Sequence, residues 1–446
     1  AISHSSSELS PGYRVSNYFK EVMLDLEQTG RVLHWGGREY LGSAEKSTSE
    51  HQTGFSRHNI RDLLTNKNFT VMVRKKLVNT TYLEASIPSV NKFKFPVSPG
   101  LNVISVNTLF VKKIHGKDNF TIIGAGKTGM DAIIFLLARG VDPDRIRWIV
   151  PNDAWLLNRD RFDPSCAAYN DLVYFEALLS DSVDKFSSYF PELEKRGHIF
   201  RLDPSITPTK WRCATVNSEE LEDLRTVKNV IRRGRVLCIT PTGMNMEKGI
   251  TELSIKNHVL VDCTSNGMPS KPIVPIFQEG RIVIQSLIMC QVVASAALIG
   301  RAEAVMGDDE KSDAEKNEIF LPCSSPQLCR DFIPAMLRSL HTQLLVGSLS
   351  RVGSWWRRCR LNVESHSDFR TNVKFMLRMH EILKMMEAGS TKLHKFHKEE
   401  FGKEVDFDMW PEGFQTPSDI AHTVRLHQLS ALVFLAALVA IVIATT

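Results

Sequence analysis

Residues 120–132 read Phe-Thr-Ile-Ile-Gly-Ala-Gly-Lys-Thr-Gly-Met-Asp-Ala, and this stretch decides the fold. Its first four residues, 120–123, have the pattern of a short buried strand, and three glycines follow in the spacing Gly-x-Gly-x-x-Gly. Residues 130–137 continue as an apolar helix, and residues 145–150 return as a second strand. A strand, a glycine loop, a helix and a strand within about 30 residues predict a dinucleotide-binding βαβ unit.

The three glycines have separate tasks in such a loop. Gly124 allows a tight turn out of the strand, Gly126 lets the backbone approach a pyrophosphate, and Gly129 lets the helix pack closely on the strand. The pyrophosphate is expected at the positive end of the helix, where free N–H groups point outward. The predicted nucleotide-binding loop therefore consists of Gly124, Ala125, Gly126, Lys127, Thr128 and Gly129.

The identity of the nucleotide depends on the end of the second strand. An NAD site favours a carboxylate there for the ribose 2′-hydroxyl, but this strand ends at Asn152, and Asp153 comes later than that place. Lys127, Asn152 and Arg159 are instead suited to a 2′-phosphate, so NADP is predicted, with NAD as the alternative. Charges such as Lys127 and Arg159 are also common on solvated surfaces, and that interpretation stays open.

Composition narrows the possible partners. The chain has 446 residues, enough for two or three domains of roughly 100–200 residues each. Its net charge of +5 is spread along the chain without a basic stripe interleaved with aromatic residues, so nucleic acid is not predicted as a partner. The eight cysteines include no Cys-x-x-Cys pair, and no Cys/His cluster has zinc spacing. The sequence therefore predicts no metal site and reduced cysteines in the core.

The last 18 residues, 429–446, carry no charge and are almost entirely apolar. As a helix they would reach about 27 Å, close to the hydrocarbon thickness of a bilayer. We therefore expect a C-terminal membrane segment that leaves the rest of the chain facing the cytosol. The alternative is a terminal helix buried within the protein.

Several local patterns add expectations of their own. Residues 31–35 have a strand pattern, and residues 182–186 have a helical one. Residues 307–317 are acidic and turn-rich, which is typical of a linker or a surface loop. Residues 392–398 alternate lysines and histidines and suggest a basic face close to a membrane. Asn266 and Gly267 follow a predicted buried strand, where either a cofactor contact or a plain turn is expected.

Residues 120–132 resemble the NADPH-binding segment of flavin-containing monooxygenases and related FAD/NAD(P)-dependent oxidoreductases, including the aspartate two residues after the third glycine, here Asp131. Residues 145–159, 262–267 and 285–302 are also similar to a bacterial-type branch of these enzymes. Val78-Asn79-Thr80-Thr81 resembles a strand-end motif that they place beside the flavin. The resemblance implies FAD as a second cofactor, and a hydrophobic C-terminal anchor also occurs in that family.

The family carries two glycine fingerprints, and this sequence contains one. Either the chain lacks its flavin-binding half, or that half lies upstream of residue 1. The expected fold class is α/β, with a Rossmann-like domain inside a two-dinucleotide-domain architecture, followed by a helical region and a membrane helix. The expected division is a partial FAD-domain-like segment at 1–112, the NAD(P)-binding domain at 113–250, a return to the FAD-domain-like segment at 251–360, a helical and basic spacer at 361–428, and the membrane segment at 429–446.

The function expected from this resemblance is that of an oxidoreductase, monooxygenase-like, in which NADPH passes a hydride to flavin and a small molecule is the substrate. The cofactors carry such chemistry, so no residue is predicted as general acid or base. Nine residues are predicted to contact the nucleotide: Gly124, Ala125, Gly126, Lys127, Thr128, Gly129, Asp131, Asn152 and Arg159. The alternative is a membrane-tethered nucleotide-binding protein without catalysis.

Overall fold

The computed structural model describes residues 10–43, 55–84, 93–161, 167–252, 258–264, 271–362, 365 and 379–402. The proposed membrane segment 429–446 lies outside these residues, and so do Asn266 and Gly267. Among the helices within the described ranges, none combines the length and the apolar character needed to span a bilayer.

Strands and helices are numbered in chain order over the described residues. Strands β1–β17 are Arg38–Ser43, Ser56–Asp62, Asn68–Val73, Leu77–Asn79, Val103–Ser105, Asn119–Ile123, Ile146–Ile149, Ala154–Asn158, Ile199–Phe200, Lys210–Val216, Asn229–Ile231, Val236–Thr240, Gly243–Met246, Gly249–Glu252, His258–Asp262, Phe277–Gln278 and Arg281–Val283. Helices α1–α11 are Gly12–Gln28, Val106–Val111, Lys127–Ala138, Ala167–Leu178, Phe186–Lys195, Ser218–Thr226, Val292–Met306, Glu310–Ile319, Phe332–Ser348, Ser350–Trp356 and Met379–Phe401. Two short 3₁₀ helices are Pro143–Arg145 and Arg159–Arg161.

A five-stranded sheet carries the glycine loop at its centre. The strand order is β11-β7-β6-β15-β5, and every neighbouring pair is parallel. Three of its strands that follow one another along the chain, β6, β7 and β11, lie side by side in sequence order, as in a mononucleotide-binding half. The α/β fold class with a Rossmann-like parallel sheet is therefore confirmed. The sheet extends past the expected span of 113–250 at both ends, since β5 and β15 belong to it.

The two faces of this sheet bury alternate residues of the same strands. On one face, Ile122 and Trp148 pack in a core cluster with α2, α3 and α6. On the other face, Ile123 and Ile149 pack against the antiparallel meander β12-β13-β14, which leads from β11 back to β15. Because both faces are covered, these strands read as short apolar runs rather than as an alternating pattern. The parallel pairing also aligns the carboxyl ends of β6 and β15 at one edge.

The segment between β7 and β11 along the chain forms a second, smaller sheet. The sheet β10-β8-β9 packs with α4 and α5 around an aromatic cluster that includes Trp155, Phe190 and Trp211. Residues of α9 and α11 complete this cluster, with Phe396 fully buried. The expected basic face at residues 392–398 is present only in part, because Lys395 and Lys398 are exposed while His397 is buried beside Phe396. The predicted helix at 182–186 begins later, as α5.

Cysteine pairing differs from the expectation of reduced core cysteines. Cys213 on β10 and Cys290, which precedes α7, form a disulfide with their Cα atoms 6.4 Å apart. Their sequence separation of 77 residues left no local signal for the pairing. Five other cysteines within the described residues are free: Cys238, Cys263, Cys323, Cys329 and Cys359.

Residues 307–317, expected as a loop, contain most of the helix α8. Asp309 caps this helix by accepting a 2.8 Å hydrogen bond from the Ser312 amide. The expected surface position holds for most of the acidic side chains in this segment, but Asp313 is buried and pairs with the fully buried Lys316, which also contacts the carboxylate of Glu303. Lys76 reaches the same two acids, at 2.6 Å from Asp313 and 2.9 Å from Glu303.

The N-terminal strand also differs from its expected place. Residues 31–35 form no strand, and β1 begins after the turn at Gly36 and Gly37, at Arg38. The register is set by β2, with Arg38 opposite Asp62, and the two side chains form an ion pair at 3.0 Å. Pairing with a neighbouring strand therefore determined which residues became extended.

Candidate nucleotide-binding site

Gly124 turns the chain out of β6 in a conformation that requires glycine. Its φ of +124° lies where residues with a side chain are strained. An added Cβ at this position would also lie 2.7 Å from the carbonyl oxygen of Cys263, at the end of β15. The turn therefore brings the glycine loop against the neighbouring strand, at the carboxyl edge of the sheet.

Gly126 has an ordinary backbone and open space in front of it. Its φ is −79°, and an added Cβ would meet no atom within 4 Å. It is the N-cap of α3, and its carbonyl accepts hydrogen bonds from the amides of Gly129 and Met130. No hydrogen bond to another described residue is made by the amides of Ala125, Gly126, Lys127 and Thr128. Four amide donors at the start of α3 are therefore available to an anion such as a phosphate group.

Gly129 allows helix α3 to approach strand β6. An added Cβ here would overlap the carbonyl oxygen of Gly124 and would lie 3.6 Å from the Cγ2 atom of Ile122. The close packing that the spacing predicted for this glycine is therefore present. Of the three glycines, two satisfy steric requirements of the protein itself, and Gly126 is left for a ligand.

Trp148 fixes the glycine loop through a hydrogen bond, a role that could not be predicted from the sequence pattern. It is fully buried on β7, and its indole Nε1 donates a 2.9 Å hydrogen bond to the Gly124 carbonyl oxygen. The amide of Gly124 donates to the carbonyl of Ile149 on the same strand, at 3.1 Å. The amide and the carbonyl of Gly124 are therefore both hydrogen-bonded, and these two bonds fix the direction of the loop.

Lys127 and Arg159 were predicted to meet a 2′-phosphate, and the structure brings them to one carboxylate. Glu220, in the first turn of α6, lies 2.9 Å from Nη2 of Arg159 and 3.5 Å from Nζ of Lys127. Asp131 forms a further ion pair with Lys127 at 2.7 Å. Burial alone would raise the pKa of Glu220, but Arg159 and Lys127 lower it below its ordinary value. The interpretation of these two cations as solvated surface charges is therefore wrong.

Asn152 was expected to contact the nucleotide at the end of β7, the second strand of the βαβ unit. Asn152 is exposed on the loop after β7. Asp153, the acid nearest that strand end, is buried and receives two hydrogen bonds from Arg232, at 3.0 and 3.3 Å. Because Arg232 follows β11, this pair ties the ends of two neighbouring strands together. Asp153 is therefore engaged with an arginine that the sequence pattern did not single out.

Cys263 lies next to the glycine loop, directly after β15. Burial raises the pKa of this thiol, and the nearby carboxylates of Asp262 and Asp131 raise it further. The thiol is therefore protonated at neutral pH and is not a nucleophile. Asp262 itself accepts hydrogen bonds from the amide and hydroxyl of Thr264, at 3.0 and 2.7 Å. Within the described ranges, no three side chains of His, Cys, Asp or Glu are grouped to hold a metal ion.

The connections of the sheet diverge at the carboxyl ends of β6 and β15. From β6 the chain continues to β7 on one side, and β15 lies on the other side. Ligands of open α/β sheets bind at such a switch point, outside the carboxyl ends of the strands. The glycine loop, the free amides and the Lys127–Glu220–Arg159 cluster all lie at this edge or beside it.

No family model matches the chain. Similar curated proteins include one from Mycobacterium bovis and two from Mycobacterium tuberculosis, each described as an uncharacterized protein. Each is 32% identical over 367 residues, which cover 80% of this chain and 63% of the relative. The chain therefore spans less than two thirds of the length of these relatives.

Among solved structures, the chain is similar to DfoA of Erwinia amylovora, a cadaverine monooxygenase of the desferrioxamine biosynthetic pathway that was solved with FAD bound. The sequence identity is 13%, the match covers 91% of this chain and 82% of that chain, and the TM-score is 0.27. A TM-score of this size does not establish a common fold.

Proposed function

We propose that the chain binds the pyrophosphate of a nicotinamide dinucleotide at Gly124–Gly129 and acts as the NADPH-binding part of a flavin-linked oxidoreductase. The observation that carries the proposal is the open space at Gly126, bordered by four amides without acceptors among the described residues. A helix N-terminus that follows a buried parallel strand offers both donors and a positive dipole to a pyrophosphate. The bound nucleotide would supply a hydride from its nicotinamide ring.

The residues of the chain have separate tasks in this proposal. Gly126 and the first amides of α3 bind the pyrophosphate, while Trp148 and Gly129 keep the loop in the conformation that exposes those amides. Lys127 and Arg159 lie on the side of α3 that faces α6, where a 2′-phosphate would be neutralised. These two cations are the ground for proposing NADPH as the nucleotide, and NADH is the competing ligand because Glu220 already pairs with both cations. The chain's own contribution is binding and orientation.

FAD and a small-molecule substrate belong to the same proposal, through the resemblance to flavin-containing monooxygenases. The sequence contains one phosphate fingerprint, and the proposal gives that fingerprint to NADPH. The described residues therefore offer no second phosphate loop for FAD, and no step is assigned to a flavin here. We expect the purified chain to be colourless or weakly yellow. A stoichiometric flavin absorbance would show that the chain holds FAD by itself.

The nucleotide assignment is tested by a Gly126→Val substitution. The added side chain would fill the space reserved for the pyrophosphate, and we expect the affinity for NADP⁺ in calorimetry to fall at least about tenfold. Gly300→Val is the matched control, because Gly300 is exposed on α7 and an added Cβ there also meets no atom within 4 Å. Equal NADP⁺ affinities for wild type and Gly126→Val would overturn the proposal.

A non-catalytic nucleotide-binding protein is the second candidate, and the lone fingerprint favours it. The two candidates differ in turnover. Oxidation of NADPH by the chain with added FAD would support the oxidoreductase. Tight NADP⁺ binding without NADPH oxidation, across a panel of flavins and acceptors, would support the alternative.

The uncharged segment 429–446 carries a separate proposal, which is attachment to a membrane with the nucleotide-binding part in the cytosol. An uninterrupted apolar stretch of this length approaches the thickness of a bilayer core. The test is fractionation of the chain with and without residues 429–446. Full-length protein that leaves the membrane fraction in high salt alone would contradict the proposal.

A further inference from the structure

We propose that Glu220 sets the nucleotide preference of this site, because it competes with a 2′-phosphate for Lys127 and Arg159. The inference rests on the proposed function and deepens it. It predicts that the wild-type protein discriminates weakly between NADP⁺ and NAD⁺, and that the carboxylate of Glu220 is the reason.

The geometry places one carboxylate between two cations from different parts of the chain. Nη2 of Arg159, at the start of a 3₁₀ helix after β8, lies 2.9 Å from Oε1 of Glu220. Nζ of Lys127, at the start of α3, lies 3.5 Å from Oε2 of the same side chain. Arginine and lysine are the residues that neutralise phosphates. Glu220 therefore occupies the position in which a phosphate would bridge the same two side chains.

Glu220 is held in this position by its own helix. Its Oε2 accepts a 3.1 Å hydrogen bond from the amide of Asn217, and Asn217 in return caps the Glu220 amide at 2.7 Å. The side chain is 17% exposed, so it has little freedom to swing into solvent. Despite this burial, Arg159 and Lys127 lower its pKa, and it remains ionised at neutral pH.

Charge counting indicates how the competition works. Lys127 and Arg159 carry two positive charges, while Glu220 and Asp131 carry two negative charges, so the cluster is formally neutral before nucleotide binds. A 2′-phosphate therefore gains less from these cations than it would from an unpaired pair. NAD⁺ lacks that phosphate and loses nothing to the competition.

Two N–H groups of Arg159 are available to an additional acceptor. Its side chain is 11% exposed, and its Nε and Nη1 atoms make no hydrogen bond with any described residue. A buried guanidinium usually has its donors satisfied, and unsatisfied ones call for an explanation. A phosphate that shares Arg159 with Glu220 would supply the missing acceptors. The guanidinium of Arg159 thus lies where it could bind a 2′-phosphate, but its positive charge is paired with the carboxylate of Glu220.

The test is calorimetric titration of NADP⁺ and NAD⁺ into the full chain and two variants. Glu220→Gln removes the negative charge and keeps a side chain that can still cap the helix start. Glu219→Gln is the matched control, because Glu219 is an exposed acid in the same first turn of α6. We expect Glu220→Gln to raise the ratio of NADP⁺ to NAD⁺ affinity about tenfold. Glu219→Gln should leave that ratio within about twofold of wild type.

The outcomes separate this inference from the proposed function. If neither nucleotide binds the wild type, the proposed function fails and the inference fails with it. If both bind and Glu220→Gln leaves the ratio unchanged, the site binds dinucleotides but Glu220 does not set its preference. A double variant, Glu220→Gln with Arg159→Gln, should lose the NADP⁺ gain, and a retained gain would show that Arg159 is not the competing cation.

Discussion

The indole Nε1 of Trp148 donates a 2.9 Å hydrogen bond to the carbonyl oxygen of Gly124, inside the core. A side chain of strand β7 therefore holds Gly124, the first glycine of the loop between β6 and α3. A carbonyl in this buried place has no access to water, so the indole is its partner.

Trp148→Phe should destabilise the protein and weaken nucleotide binding together. The change keeps most of the buried ring but leaves the Gly124 carbonyl without its donor, which costs about 1–3 kcal/mol. The measurement is urea unfolding of wild type and variant, followed by NADP⁺ titration. Trp211→Phe is the control, because Trp211 is equally buried and its Nε1 donates to no described acceptor. If both variants lose the same free energy of unfolding, the hydrogen bond has no measurable role.

Gly129→Ala should damage the fold rather than the ligand contact. The added methyl group would overlap the Gly124 carbonyl oxygen, so α3 must move away from β6, at a cost of about 1–3 kcal/mol. Gly126→Ala adds the same methyl group to open space and should cost no more than about 1 kcal/mol through poorer capping. Chemical denaturation of both variants compares the two. The assignment of roles is wrong if Gly126→Ala is the less stable protein.

Acid should destabilise the protein through His341, a buried residue of α9. Burial lowers the pKa of this imidazole from 6.5 to about 4. Between these values the unfolded chain binds a proton that the folded chain does not, so the free energy of unfolding falls as pH drops from 6.5 towards 4. The stability of the neutral form is complete above pH 6.5, and the loss can reach about 3 kcal/mol at pH 4.

The variant His341→Gln should flatten this part of the stability profile, because the side chain no longer titrates. Urea unfolding at several pH values between 4 and 7 measures the slope. His34→Gln changes an exposed histidine in the N-terminal segment and provides the comparison. A slope that His341→Gln leaves unchanged would assign the acid sensitivity to other groups.

Lys316→Met should be strongly destabilising, although lysine is usually a surface residue. The substitution leaves Asp313 and Glu303 with one cation, Lys76, in place of two, and breaking a buried pair costs about 3–5 kcal/mol. Lys311→Met, on the same helix, removes a side chain that is 88% exposed and should change stability by less than about 1 kcal/mol. Thermal or urea unfolding distinguishes them, and similar losses would contradict the buried cluster.

The glycine loop could be predicted from the sequence because its requirements are local. The left-handed turn at Gly124 and the close contact of Gly129 with the Gly124 carbonyl involve residues within a few positions of each other, and the spacing encodes both. The contact of Gly124 with Cys263, far along the chain, is not encoded in this way. Lys127 and Arg159 were also recognised, but their partner was not. Glu220 is visible in the sequence only as part of a helix start, and its contact with Lys127 joins residues far apart in the chain.

The expectations that failed, wholly or in part, inferred the burial or pairing of a segment from its local composition, although tertiary contacts determine both. Residues 307–317 resemble a loop because they are acidic and turn-rich, yet they form most of α8, and one of their acids, Asp313, is buried against Lys316. The lysine- and histidine-rich stretch at 392–398 has a helical period that composition alone hides, and its apolar side packs at Phe396. The Cys213–Cys290 disulfide likewise depends on two segments that meet only in the folded chain. Long-range pairing leaves little trace in a single sequence.

Strands β4 and β17 have a consequence for the order of folding. They pair in parallel, with Val78 opposite Ile282, and the amide of Ile284 donates to the Asn79 carbonyl at 3.0 Å. The parallel sheet that carries the glycine loop lies between them along the chain, so this contact closes a loop of about 200 residues. Closing such a loop early costs entropy that a pair of three-residue strands cannot offset. The nucleotide-binding unit should therefore fold first and draw the two strands together, which makes their junction the slow, late step of refolding.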